Sequence, residues 1–198
     1  MGNRERLLET AAGLFARRGY RATSVDDILE ASGVAPSNFY YHFPSKEALA
    51  YEVLERYFGQ ARREIVPLTQ AGVPARAALE RLFRFFLRRL EDQQCSVGCP
   101  LGNLAQELSD VHPGFREKLA GFFREWVDAV ADLLRRGIRR GELRPGLDPE
   151  ATAFLVVGLI QGLVLLSKNL KTPGPARRGF RQIQALLERT PHRGKPER

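Results

Sequence analysis

The stretch from Gly33 to Leu49, GVAPSNFYYHFPSKEAL, decides how the chain is read. Phe39, Tyr40, Tyr41, His42 and Phe43 place four aromatic rings and an imidazole in consecutive positions, and Pro44 closes the run. A helix that only feeds a core spaces its apolar residues three and four apart. This run turns rings to every side, so some must face something other than the interior. Pro36 opens a short helix, where its missing N–H costs nothing. Pro44 ends it, because the residue before a proline is pushed out of helical geometry. On a helix over 36–43, Phe39 and Phe43 stand i, i+4 and share the inner side with Leu14, Phe15, Ile28 and Leu29. Ser37, Asn38, Tyr41 and His42 then take the opposite face, with Tyr40 at its side.

Upstream, Leu7, Ala11, Leu14 and Phe15 form one apolar stripe that ends at Gly19, expected in a left-handed helix cap. In TSVDDILEA, Ser24 and Asp27 have capping-box spacing, and Val25, Ile28 and Leu29 line the inner face. Gly33 then turns the chain tightly into the aromatic helix. Two helices so joined, the second with an exposed polar-aromatic face, make a helix-turn-helix motif. The major groove of B-DNA admits one such helix, whose first residues meet base edges. Asn38 suits adenine; tyrosine rings suit thymine methyls, with their hydroxyls on phosphate. Ser45 caps a fourth helix, and Lys46 sits in its first turn, where the helix dipole disfavours a cation. A DNA phosphate bound there would reconcile the two.

Bulk charge does not locate this surface. The 198 residues carry a net charge of +8 and a pI near 10.0, largely through arginine. Yet over positions 1–50 the cations Arg4, Arg6, Arg17, Arg18, Arg21 and Lys46 are balanced by Glu5, Glu9, Asp26, Asp27, Glu30 and Glu47. The excess lies downstream, above all from Lys171 to Arg198. Helical periodicity continues through the body, with helices expected near 75–91, 101–108, 113–140, 149–168 and 176–188, and strand signals are nearly absent. The expected fold is all-α: a three-helix N-terminal unit fused to a helical bundle.

The segment LFARRGYRATSVDDILEASGVAPSNFYYHFPSKEALAYEVL, with its flanks about residues 3–55, resembles the N-terminal domain of the TetR (tetracycline-repressor) family of bacterial transcriptional regulators. The resemblance implies that Ser37, Asn38, Tyr40, Tyr41, His42 and Lys46 face DNA, and that Thr23 and Ser24 hold phosphate. Asn38 stands where many members have threonine, and Pro36 where lysine or glutamine is common, so a base preference does not carry over. The resemblance further implies domains at 1–46 for DNA binding and 47–190 for effector binding and dimerisation, with 191–198 as a disordered tail. GCPLGNLAQELSDVHPGFREKLAGFFREW is similar to a subgroup in which Gly-Cys opens a helix bordering the pocket.

Within the body, Phe115, Leu119, Phe122, Trp126 and Val130 keep a helical stripe, as do Phe83, Phe86 and Leu87. Most of these belong to a core. Because ligand sites between bundle helices are apolar and aromatic, Phe86, Leu104, Phe123 and Trp126 are expected near a cavity. Asn103 and Gln161 are the candidate polar contacts. ATAFLVVGLIQGLVLLSKNL is apolar nearly all round, but Thr152, Gln161 and Ser167 interrupt it, so no membrane span is expected. Its Gly158 and Gly162 permit close helix approach, and the resemblance makes it and the last helix a homodimer seam rimmed by Arg177, Arg181 and Gln184.

Cys95 and Cys99 with His112 fall short of a zinc set, so neither metal nor cofactor is expected. Cys99 precedes Pro100 at a helix cap, a position that stabilises a thiolate; inert thiols are the first reading of the pair, and a reversible Cys95–Cys99 disulfide is the alternative. No glycine loop cradles phosphate, His42, His112 and His192 are scattered, and no nucleophile–base spacing stands out, which argues against an enzyme. The opening MGNRERLLET lacks an apolar signal core, so the cytoplasm is the expected compartment. The function expected is a ligand-responsive repressor. It binds a near-palindromic double-stranded operator as a dimer and is released by an apolar or aromatic small molecule, with an acidic one, such as an acyl thioester, left open by the arginine-rich surface. The rival from another class is a helical small-molecule or redox sensor, built on Cys95 and Cys99, that acts without DNA.

Overall fold

A computed structural model describes residues 1–69 and 72–188, so the tail expected over 191–198 lies outside the described residues. Among the described residues there are nine α-helices and no strand: α1 Asn3–Arg18, α2 Val25–Ser32, α3 Pro36–His42, α4 Lys46–Ile65, α5 Ala75–Asp92, α6 Pro100–Leu108, α7 Pro113–Arg139, α8 Pro149–Asn169 and α9 Gly174–Leu187. A short 3₁₀ turn, Val66–Thr69, follows α4.

The local chemistry explains most of the boundaries. Ser24 accepts the Asp27 N–H at 3.0 Å while Asp27 Oδ2 accepts the Ser24 N–H at 2.6 Å, a complete capping box. The Ser24 hydroxyl and N–H, with Arg18 adding a charge, hold the Asp27 carboxyl below its usual range. Ser45 caps α4 through the Ala48 N–H, and Asp148 caps α8 through the Ala151 N–H. Gly33, at φ 63° and ψ 27°, ends α2 in the left-handed conformation that glycine adopts without penalty.

Gly19 departs from expectation. Its φ of 89° and ψ of 167° lie in an extended region open essentially to glycine alone, not in a left-handed helix cap. The reason is tertiary: a Cβ there would stand 2.7 Å from Glu107 Oε2, and the chain must leave α1 at once to bury Tyr20.

Leu7, Leu8, Ala11 and Phe15 of α1 meet Ile28, Phe39 and Phe43 in the N-terminal core, which is continuous with that of the body. The long α4 joins the two. α7, α8 and α9 pack in succession, and α5 lies against all three. The α7–α8 link is pinned to the end of α9 by the Arg144 N–H on the Leu187 carbonyl at 3.0 Å.

Helix α8 uses both its sides. Ala153, Val156, Val157, Ile160 and Val164 are buried, whereas Phe154, Leu155, Leu159, Leu165 and Leu166 are exposed. Gly158 and Gly162 lie between the exposed residues, and a Cβ on either would meet nothing within 4 Å. Close approach within the chain is made instead by Gly179 of α9, where a Cβ would run into the Leu163 side chain. By length and composition alone the 21-residue α8 could cross a membrane, as a core helix packed on one side also can.

Candidate nucleic-acid interface and adjoining cavity

The aromatic run resolves into an inside and an outside. Phe39 is 0% and Phe43 1% exposed, whereas Tyr40 is 60% and Tyr41 83% exposed. Ser37 is exposed as well, and Asn38 and His42 are half-buried on the same short helix. The outer rings brace on their neighbours: Tyr40 meets Phe39 edge-on at 5.2 Å, and Tyr41 meets His42 edge-on at 4.9 Å. Such contacts reduce the entropy that a large side chain loses when it docks. α3 therefore offers a raised ridge of hydroxyl, amide, phenol and imidazole groups, the inventory that base edges and phosphates accept. Behind it, the Arg6 guanidinium donates to the Ser32 carbonyl at the end of α2 and fixes that helix against α1.

The residues expected at phosphates are engaged within the protein. Thr23 is fully buried, and its hydroxyl donates to the Gly19 carbonyl at 2.8 Å, so the expectation that it holds phosphate gives way to a turn-forming role. Ser24 remains exposed, but its hydroxyl completes the capping box. Lys46 Nζ donates to the carbonyls of Tyr20 (3.2 Å) and Thr23 (3.0 Å) and lies 4.2 Å from the centre of the Tyr20 ring. Its cation at a helix start is thus explained first by an internal clamp on the α1–α2 link. Replacing Lys46 by methionine, which keeps the stem and removes the charge, should cost about 1–2 kcal/mol. Thermal unfolding without DNA should then start a few degrees lower. An unchanged melting curve would show that the clamp carries no weight.

The same link is tied to the body. The Glu107 carboxylate of α6 accepts the N–H groups of Tyr20 (2.9 Å) and Arg21 (2.5 Å). The Tyr20 ring is buried against Phe15 at 5.5 Å and against His112 and Phe115 at 5.9 Å. This burial, with Glu47, Tyr51 and Glu107 adding charge repulsion, raises the Tyr20 hydroxyl above its usual range. Sequence reading missed Glu107, because nothing local distinguishes it from any other helix-surface glutamate.

Between α4, α5, α6 and α7 lies a cavity that opens to solvent. Phe86, Phe123 and Trp126 line it, as their stripes suggest. Leu104, Asn103 and Gln161 do not. Leu104 is buried in the core, and Asn103 donates to the Val97 carbonyl at 3.0 Å beside a separate polar groove formed with Arg17, Arg18 and Lys168. Gln161 lies outside the lining, its Nε2 buried without a partner and its Oε1 against Gly102. Sequence reading missed Tyr57, Gln60 and Glu64 of α4 and Phe85 and Arg89 of α5. Tyr57 also donates to the Ala12 carbonyl at 2.5 Å, and so joins the cavity wall to α1. Its burial pushes the hydroxyl strongly upward.

Cys95 and Cys99 are free thiols. Cys99 caps α6 through the Gly102 N–H at 3.4 Å, but the expectation of a stabilised thiolate is reversed: burial outweighs the cap and raises both thiols. Neutral thiols are poor nucleophiles. Both should react with iodoacetamide at neutral pH at least tenfold more slowly than free cysteine, and their labelling should accelerate only as pH rises beyond the usual thiol range. Rapid alkylation of Cys99 in the folded chain, read by mass spectrometry, would contradict this assignment.

Two family models match this chain. The one described as bacterial regulatory proteins, tetR family, covers residues 7–53, and the one described as tetracyclin repressor-like, C-terminal domain, covers residues 75–183. The HTH-type transcriptional repressor DhaR of Mycobacterium sp. (strain GP1) is 33% identical over 189 residues, 94% of this chain and 93% of that one. The HTH-type transcriptional repressor KstR2 of Rhodococcus jostii (strain RHA1) is 30% identical over 150 residues, 75% of this chain and 72% of its own. The crystal structure of a TetR transcriptional regulator from Chloroflexus aurantiacus superposes with a TM-score of 0.83 at 30% identity, covering 92% of each chain.

Proposed function

Because the chain belongs to the TetR family of bacterial transcriptional regulators, we propose that it represses transcription as a homodimer on a near-palindromic operator and is released by a small molecule held in the α4–α7 cavity. The observation that carries this reading is the sorting of the aromatic run, with Phe39 and Phe43 inside and Ser37, Tyr40 and Tyr41 outside. In it, Asn38, Tyr40, Tyr41 and His42 meet base edges and adjoining phosphates. Ser37, Ser24 and the free amides at the start of α4 position the backbone. A second copy related by a two-fold axis puts its α3 in the next major groove, about 34–36 Å away, and sets the spacing of the half-sites.

The exposed apolar side of α8 supplies the seam. Phe154, Leu155, Leu159 and Leu166 face outward, and the bare backbone at Gly158 and Gly162 lets a partner helix approach closely. Arg181 on α9 is exposed and serves as the rim cation of this reading. Arg177 pairs with Glu91 of α5 at 2.6 Å and Gln184 with Glu188 at 3.0 Å, surface contacts that each would exchange or share at a rim.

Communication needs a ligand whose affinity differs between two arrangements of the N-terminal unit. Tyr57 on Ala12 and Glu107 on Tyr20 and Arg21 are the polar links that such a change would strain. Selection of bound fragments from random DNA at physiological salt tests the function. A two-fold symmetric consensus of two half-sites is the expected result. Binding without sequence enrichment would leave only a sensor that does not read DNA.

A further inference from the structure

The polar groups of the cavity wall define the chemistry of its ligand. Glu64 and Arg89 pair at 2.9 Å, Gln60 donates to the same carboxylate at 3.0 Å, and the Arg89 guanidinium lies 5.7 Å from the centre of the Phe85 ring. The Tyr57 hydroxyl is committed to Ala12, and the Cys99 sulfur accepts from Gly102. Gln93 is half-buried at the edge. One group stands apart. Trp126 lines the cavity and is 6% exposed, and its Nε1 is buried with no hydrogen-bond partner. Among the described residues it is the lining donor left buried and unsatisfied, a state that native proteins rarely retain without a reason. Its indole runs nearly parallel to Phe86 (5.5 Å, 26°) and Phe123 (6.3 Å, 28°), with Phe122 completing an aromatic wall.

Resting on the effector-cavity reading above, we propose that this cavity takes an uncharged, flat, largely aromatic molecule with a single hydrogen-bond acceptor, which docks on Trp126 Nε1. The wall offers ring faces to a planar body and, in Trp126 Nε1, the lining donor that is buried without a partner among the described residues. Its two charges neutralise each other. An anionic ligand could reach Arg89 only beside the Glu64 carboxylate that already answers its charge, and a cationic one could reach Glu64 only beside Arg89. Either adds a third charge to a pair that is already neutral, in a half-buried site. A neutral acceptor disturbs neither and satisfies the orphan indole N–H. Specificity then comes from the polar group that a wrong ligand leaves unpaired.

Trp126 is the only tryptophan in the chain, so its emission reports the site directly. Four probes of matched shape test the idea on the full chain: 2-acetylnaphthalene, naphthalene, 2-naphthoate and 2-(aminomethyl)naphthalene. Binding is followed by tryptophan quenching and by ligand-induced rise of the melting temperature. The ketone should bind roughly tenfold more tightly than naphthalene, and at least tenfold more tightly than either ion. Trp126→Phe, which keeps an aromatic ring and removes the donor, should weaken both ligands through the smaller ring but bring the ketone-to-naphthalene affinity ratio down to about one, both read by melting shift. Equal binding of ketone and naphthalene, charged probes binding as well as the ketone, or an undiminished ketone preference in Trp126→Phe would each overturn the proposal while the cavity stands as a ligand site. Failure of all four probes to alter emission or melting would overturn the effector-cavity reading itself, and this inference with it.

Discussion

Replacing Phe154 and Leu155 together by glutamate is expected to yield a folded monomer that has lost its operator. Both side chains are exposed in the single chain, at 65% and 60%, so the change removes no contact that holds the fold. In a two-fold seam each would be buried twice, once from each copy. Burial of a large apolar side chain contributes about 1.5–3 kcal/mol. Four buried glutamates would replace that gain with an unpaired-charge penalty of several kcal/mol. Loss of the partner converts a two-headed contact with DNA into a single one, and effective concentration alone is worth about 10²–10⁴ in affinity. Operator binding should therefore fall at least a hundredfold, while thermal unfolding of the monomer remains cooperative. Sedimentation and DNA titration of the same preparation check both halves. A double variant that still sediments as a dimer would place the seam elsewhere.

Phe39→Ala and Tyr41→Ala, two positions apart, should have opposite phenotypes. Phe39 is completely buried against Phe43 and the α1–α2 core, and truncating such a ring costs about 3–5 kcal/mol. A unit of three short helices has little stability to spare, so Phe39→Ala should unfold the N-terminal unit or leave it fluctuating. It should abolish DNA binding by that route. Tyr41 touches His42 and otherwise faces solvent. Its loss should shift stability by no more than about 0.5 kcal/mol. Operator affinity should still drop roughly tenfold or more, with less change on unrelated DNA, because a base-facing contact carries discrimination. Calorimetric melting and binding curves on both variants separate the cases. A stable Phe39→Ala protein, or a Tyr41→Ala protein with parental operator affinity, would mean that α3 presents a different side to DNA.

Helix α3 was legible in the sequence because everything that defines it is local. Pro36 and Pro44 set its ends, and the i, i+4 spacing of Phe39 and Phe43 sends the phenols outward. Ser24 with Asp27, Gly33 and Ser45 act within three residues of the boundaries they set, so periodicity and capping chemistry recover the motif, the all-α class and most helix ends. The groups that link the parts could not be read this way. Glu107 meets Tyr20 across 87 positions, and Tyr57 meets Ala12 across 45. The internal clamp made by Lys46 was hidden as well, because only the folded chain brings the Tyr20 and Thr23 carbonyls beneath its cation. The cavity gathers single residues from several helices, and each arrives there through packing angles that no window of sequence contains. A helix apolar on all sides has no direction in its pattern, so it was packing against α7 and α9 that left Phe154, Leu155 and Leu166 of α8 outside. Local period and capping thus specified which helices exist and which side of α3 is wet. Long-range packing alone decided which buried donor lacks a partner and which apolar face stays exposed.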